Sequence, residues 1–111
     1  MSIKQQQRNK KDKRLFQTYG LSLVEYEILY SGCKGCCEIC GRSYKVLNVD
    51  HRHVKGYKKF SPEEKRREIR GLLCMRCNKF TLGSLEIHKN AREILENLNR
   101  YASRYKLKGD V

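Results

Sequence analysis

Two Cys-x-x-Cys motifs, Cys37–Cys40 and Cys74–Cys77, stand 33 residues apart (41–73) in a chain of 111 residues. A CxxC turn brings two thiolates toward one point, and two such turns complete a tetrahedron of four sulfurs, the closed donor set of structural zinc. With all four positions filled by protein, such an ion activates no water. Its role is to clamp the segment ahead of Val46 to the chain at Met75 and to contribute folding free energy outright. A redox CxxC is the competing use, but it usually comes as one motif in a βαβ context, which this sequence lacks. Cys33-x-x-Cys36 abuts the first motif as a second candidate pair. Cys37 and Cys40 are preferred, because Cys-Glu-Ile-Cys-Gly-Arg supplies the small and polar residues a knuckle turn needs. Cys33 and Cys36 are then spare thiols, or stand-ins under metal exchange.

The chain needs such a staple. Its length suits one domain, and 39% hydrophobic residues with no Trp and three Phe allow only a thin core. A formal charge of +13 attracts polyanions, so nucleic acid is the leading partner. A ribosomal or membrane-surface protein is the competing reading of charge alone. Met1–Arg14 lacks the apolar core of an export signal. No apolar run nears membrane-spanning length, and Gly71–Met75 is about the longest. A reducing cytoplasm and no membrane partner are therefore expected, a setting in which paired cysteines mean metal more often than disulfide.

Met1 to about Leu15 reads as a basic leader, disordered or a frayed helix until it meets DNA. Ser22 and Glu25 form a capping box that starts a helix ending at Gly32. Val46, Leu47 and Val49 predict a strand leading into Asp50-His51, with His53-Val54 starting the return strand and Lys55-Gly56 in a turn. Ser61-Pro62-Glu63-Glu64 opens a short surface helix, basic through Lys65, Arg66 and Arg67. A further helix is expected from about Cys74 to Gly83. The last, Ala91 to Tyr105, has the clearest helical periodicity, with Asn90 and Glu93 as its start signal.

Asp50-His51-Arg52-His53 lies between the knuckles, and Asn78 directly follows the last cysteine. On a regular strand, Asp50 and His51 point to opposite faces, so a bulge is needed to aim both at one phosphate. A carboxylate and an amide oxygen suit one magnesium-class ion. A neutral imidazole nearby can deprotonate an attacking water. Singly these residues mean little: a lone His is usually just polar, and Asn78 could simply cap a helix.

Four blocks resemble the recombination endonuclease VII group of phage and prophage nucleases. They are Tyr-Gly-Leu-Ser-Leu-Val-Glu-Tyr-Glu from Tyr19, Cys-Glu-Ile-Cys-Gly-Arg from Cys37, Val-Asp-His-Arg-His from Val49, and Ile-Arg-Gly-Leu-Leu-Cys-Met-Arg-Cys-Asn from Ile69. The resemblance runs from about Tyr19 to Tyr101. It implies an α+β fold, a small zinc-stabilised ββα-metal (His-Me finger) domain with flanking helices. It also implies that Asp50 and Asn78 hold a catalytic Mg²⁺ or Mn²⁺, that His51 is the general base, and that His53 orients or stabilises the phosphate. Cys37, Cys40, Cys74 and Cys77 would bind Zn²⁺. The expected organisation is a leader at 1–15, a nuclease domain at 16–107 and a tail at 108–111. Two departures stand out: a longer connection from His53 to Arg70, and Thr81 where some members carry a carboxylate.

The expected activity is metal-dependent DNA endonuclease, on duplex or branched substrates, encoded by a phage or prophage. Arg52, Lys55, Lys58, Lys59, Arg66, Arg67 and Arg70 are expected to meet DNA. A two-fold dimer through the last helix is a further expectation, although packing on its own core is the commoner use of such a helix. The alternative is a non-catalytic zinc-ribbon DNA-binding protein, which has no need of Asp50, His51 and Asn78 together.

Overall fold

In a computed structural model describing residues 2–110, the chain is α+β, with five α-helices and one two-stranded sheet among the described residues. The chain divides after Met75 into two compact units.

The first unit begins with helix α1, Ile3–Tyr19. The leader is therefore helical, and α1 runs unbroken across the boundary expected at Leu15; Met1 lies outside the described residues. The reason is anchoring at both ends and along one side. Ser2 caps the first turn and Gly20 closes the last in the left-handed conformation. Leu15 is buried, Arg8 pairs with Glu27 at 3.0 Å, and Asp12 accepts the Leu23 N–H at 2.7 Å. Cations from further along the chain then satisfy carbonyls at the negative end of the helix: Lys65 Nζ donates to Gln17 O and Arg66 Nε to Gly20 O.

Helix α2, Leu23–Gly32, starts at the complete Ser22–Glu25 capping box. Its buried Tyr26 donates to Leu47 O at 2.7 Å, fixing the chain that enters strand β1, Asn48–His51. The partner of β1 is not His53-Val54 but β2, Ile69–Leu73, in antiparallel register with Asn48 opposite Leu73. Burial selects this pairing. Leu72 and Leu73 reach the core with Leu47 and Val49, whereas His53 stays exposed. The intervening segment carries a 3₁₀ turn, Tyr57–Lys59, and helix α3, Pro62–Arg66, which begins at the predicted Ser61–Glu64 capping box.

The second unit holds a π-helical turn, Cys77–Thr81, continuous with helix α4, Leu82–Glu86, and then α5, Ala91–Arg104. The helix thus passes through Gly83 instead of ending there. Asn90 precedes α5 without a side-chain cap, so the predicted Asn90–Glu93 start signal does not form. Val111, at the end of the expected tail, lies outside the described residues. No described helix is long and apolar enough to cross a membrane.

Gly20 is the tightest point of the first unit. Its φ is +70°, and a Cβ there would sit 1.9 Å from Pro62 O. Gly20→Ala combines left-handed strain with a backbone clash, so it should destabilise the protein by about 2 kcal/mol or more. Urea denaturation checks this; an unchanged midpoint would mean that α1 and α3 do not pack this closely.

Candidate metal centre and histidine cleft

The first knuckle is a small hairpin. Cys37 N–H donates to Arg42 O and Gly41 N–H to Cys37 O, both at 2.9 Å, with Cys36 bridged to Ser43. Glu38 N–H reaches Leu72 O at 3.2 Å, which ties the knuckle to β2. Cys74 follows β2 directly, and Cys40 Sγ lies 4.0 Å from Cys74 Sγ. Cys77 comes three residues on, a spacing that brings two thiols of one turn together. The four sulfurs of Cys37, Cys40, Cys74 and Cys77 all lie within 4.8 Å of one another, a group that can hold a metal ion. All-sulfur donors at this spacing fit zinc.

The surroundings favour a thiolate at Cys37. Burial pushes the Cys37 thiol up, but N–H groups of Cys74, Cys40 and Ile39, with the Cys40 side chain, outweigh it and bring it to about 6. Tyr44 is pushed up to about 12, chiefly by hydrogen bonds to Cys74 and Cys40, so its hydroxyl remains a donor toward sulfur. Nothing in the sequence singled out Tyr44. The thiols of Cys33 and Cys36 face the carbonyls of Tyr30 and Lys34 instead.

At the other end of the sheet the ladder slips between Asp50 and His51. Asp50 pairs with Gly71 and His51 with Ile69, which leaves Arg70 as the extra residue. A bulge is thus present at this point, but its extra residue lies on β2, so it re-aims Arg70 and does not bring Asp50 and His51 to one face. In a regular ladder Arg70 would face away from Asp50, whose paired position is Gly71. Here its guanidinium grips the Asp50 carboxylate through both oxygens, at 2.8 and 3.0 Å. Asp50 is 5% exposed, so this is a desolvated carboxylate met by a cation.

His51 sits in a different environment, an open cleft of about 770 Å³ shared with His53, Tyr57 and Lys55, Lys58, Lys59 and Lys65. Its Nδ1 lies 3.2 Å from Arg52 O. The Tyr57 ring stacks on the imidazole at 4.3 Å and 6°, and the Tyr19 and His53 rings lie tilted at 5.8 and 4.9 Å. Neither tyrosine was legible as a neighbour of His51.

The remaining expected residues part company. Lys55, Lys58 and Lys59 line the histidine cleft. Arg66 is engaged with Gly20 O and Glu25, Arg67 with Glu63, and Arg52 makes a two-point pair with Glu68. Glu68 is accordingly held below the usual carboxylate range, first by its hydrogen bond from Arg52. Asn78 belongs to the second unit, on the π-helical turn one residue past Cys77. In that turn Leu82 N–H bonds back to Cys77 O, a widening that recurs at functional sites.

A family profile described as recombination endonuclease VII matches residues 12–104. "Gene 59 protein" of Mycobacterium phage L5 is 39% identical over 93 residues, covering 78% of this chain and 50% of the relative. "Gene 59 protein" of Mycobacterium phage D29 is 37% identical over 92 residues, covering 80% and 46%. The chain thus spans about half the length of the curated relatives it matches. No solved structure gives a significant match.

A metal assay should find one zinc per chain, retained in Cys33→Ser/Cys36→Ser and lost in Cys37→Ser. Equal loss from both variants would contradict the assignment. Acid should release the metal. A thiol at about 6 in the fold, against 9.0 when free, gives an advantage that is full above pH 9 and lost as the pH falls toward 6.

Proposed function

Because the chain belongs to the recombination endonuclease VII family, we propose that it is a metal-dependent endonuclease that hydrolyses DNA phosphodiesters on a ββα-metal (HNH, His-Me finger) element. His51 is its general base. The observation that carries this reading is the His51 Nδ1 contact with Arg52 O at 3.2 Å, inside a lysine-lined cleft. A carbonyl oxygen only accepts, so the contact favours the tautomer with the proton on Nδ1 and leaves the Nε2 lone pair for a proton from water.

Asp50 and Asn78 would hold the catalytic Mg²⁺ or Mn²⁺. The fit rests on Asp50, a buried carboxylate that already accepts a cationic group through both oxygens. A divalent ion would be a harder partner of the same sign for that carboxylate. When bound, the ion polarises the scissile phosphate and stabilises the departing oxygen. The chain's own groups do the rest. His51 takes a proton from the attacking water as oxygen bonds to phosphorus and the opposite P–O bond breaks. His53, exposed beside it, orients the phosphate.

Lys55, Lys58 and Lys59 bind the flanking phosphates, contacts that position DNA without reading its sequence. Duplex or branched DNA is the substrate, and the family's description as a recombination endonuclease fits a role in recombination. Four thiolates on a structural zinc hold the element together.

Supercoiled plasmid and a four-way junction, each with Mg²⁺ or EDTA, test the proposal. Wild type should cut at least one of them, only with metal, and His51→Ala should cut roughly 10²- to 10⁴-fold more slowly while still binding DNA. Equal cleavage by the two proteins would remove His51 from the mechanism. DNA binding without cleavage by either would favour a zinc-ribbon binding module.

A further inference from the structure

We infer that Tyr57 is a positioning residue for His51, a stacked plate that fixes the plane of the imidazole and is itself fastened to the end of helix α1. The inference rests on the reading of His51 as general base.

Three contacts hold the plate. Gly56 adopts a left-handed conformation (φ +80°), and the 3₁₀ turn that follows brings Tyr57 back toward β1. The Tyr57 hydroxyl donates to Thr18 O at 2.6 Å, using a carbonyl in the last turn of α1. Phe60 flanks the ring at 5.9 Å, and Lys65 Nζ lies 5.7 Å from its centre on the way to Gln17 O. Burial pushes the phenol up, with Tyr19 and Glu68 adding to the shift, so the hydroxyl stays a donor.

The opposite face of this arrangement meets His51. At 4.3 Å and 6° the two rings are parallel and in contact, which is a face-on restraint on rotation about the imidazole's own axis. That rotation matters because a half-turn would exchange Nδ1 with Cδ2 and Nε2 with Cε1. It would break the contact with Arg52 O and turn the free lone pair away from its task. Tyr19, tilted at 5.8 Å, closes a second side. The basic N-terminal helix thereby acquires a second role: its final turn, Thr18–Tyr19, supports the plate and touches the histidine.

Two variants separate the parts of this device. Tyr57→Phe keeps the ring and loses only the Thr18 bond. Tyr57→Leu fills space without a ring. The zinc-loaded protein is studied by NMR for the ring protons and ring nitrogens of His51, and by single-turnover DNA cleavage beside DNA binding. In wild type and Tyr57→Phe, the His51 ring protons should be shifted upfield by the tyrosine or phenylalanine ring current, with the proton on Nδ1. In Tyr57→Leu the upfield shift should vanish and cleavage should slow roughly 10- to 100-fold. Its DNA affinity should stay within about twofold of wild type.

Wild-type His51 resonances at unstacked positions would overturn the inference, and that result needs no variant to fold. Tyr57→Leu cleaving at the wild-type rate while His51→Ala is inactive would overturn it too. If wild type does not cleave at all, the nuclease reading fails. The spectra then still decide whether the stack exists.

Discussion

The convergence of four sulfurs is the constraint on which the other features depend. The sheet is only two short strands, Asn48–His51 and Ile69–Leu73, and a lone pair of strands this short has little stability of its own in water. One end adjoins the sulfur cluster: Cys74 follows β2 directly, and the Cys37 knuckle bonds to β2 at Leu72. Leu47, Leu72 and Cys37 are the largest fully buried side chains, so a cysteine of the sulfur cluster is as deeply buried as the core leucines. An ion bound at this point would supply folding free energy that a thin apolar core does not.

With one end fixed, the other is free to depart from regular pairing. The bulge there puts Arg70 on the Asp50 carboxylate, while His51 meets a different set of partners, Tyr57, Tyr19 and the Arg52 carbonyl. The two residues most able to do chemistry are thus separated in environment although adjacent in sequence: one desolvated and ion-paired, one open to a lysine-lined cleft. The large positive charge is also divided in use. Arg66, Arg70 and Lys65 are spent on carbonyls and carboxylates of the fold, while Lys55, Lys58 and Lys59 remain at the cleft.

Local chemistry made much of this legible in the sequence. Ser22–Glu25 and Ser61–Glu64 cap helices as read, because a capping box is complete within four residues. The choice of Cys37 and Cys40 over Cys33 and Cys36 follows from knuckle composition, and the cluster agrees with it. What sequence did not yield is non-local. The strand partner of β1 comes from about twenty residues on, past a helix, whereas local pattern alone points to the nearest segment, His53-Val54. The leader looked solvated because its support, Tyr57, Lys65 and Arg66, arrives some forty residues later. Tyr57 itself fell in a charged excursion, where an aromatic residue carries no periodic signal. The π-helical turn carries no local sequence signature.

Zinc K-edge X-ray absorption on the purified protein is the most direct test of the central claim, that a closed all-cysteine centre holds this sheet. Four sulfur scatterers at about 2.3 Å, with no light-atom shell, are predicted. A first shell containing nitrogen or oxygen, or protein that folds fully without bound metal, would contradict the account.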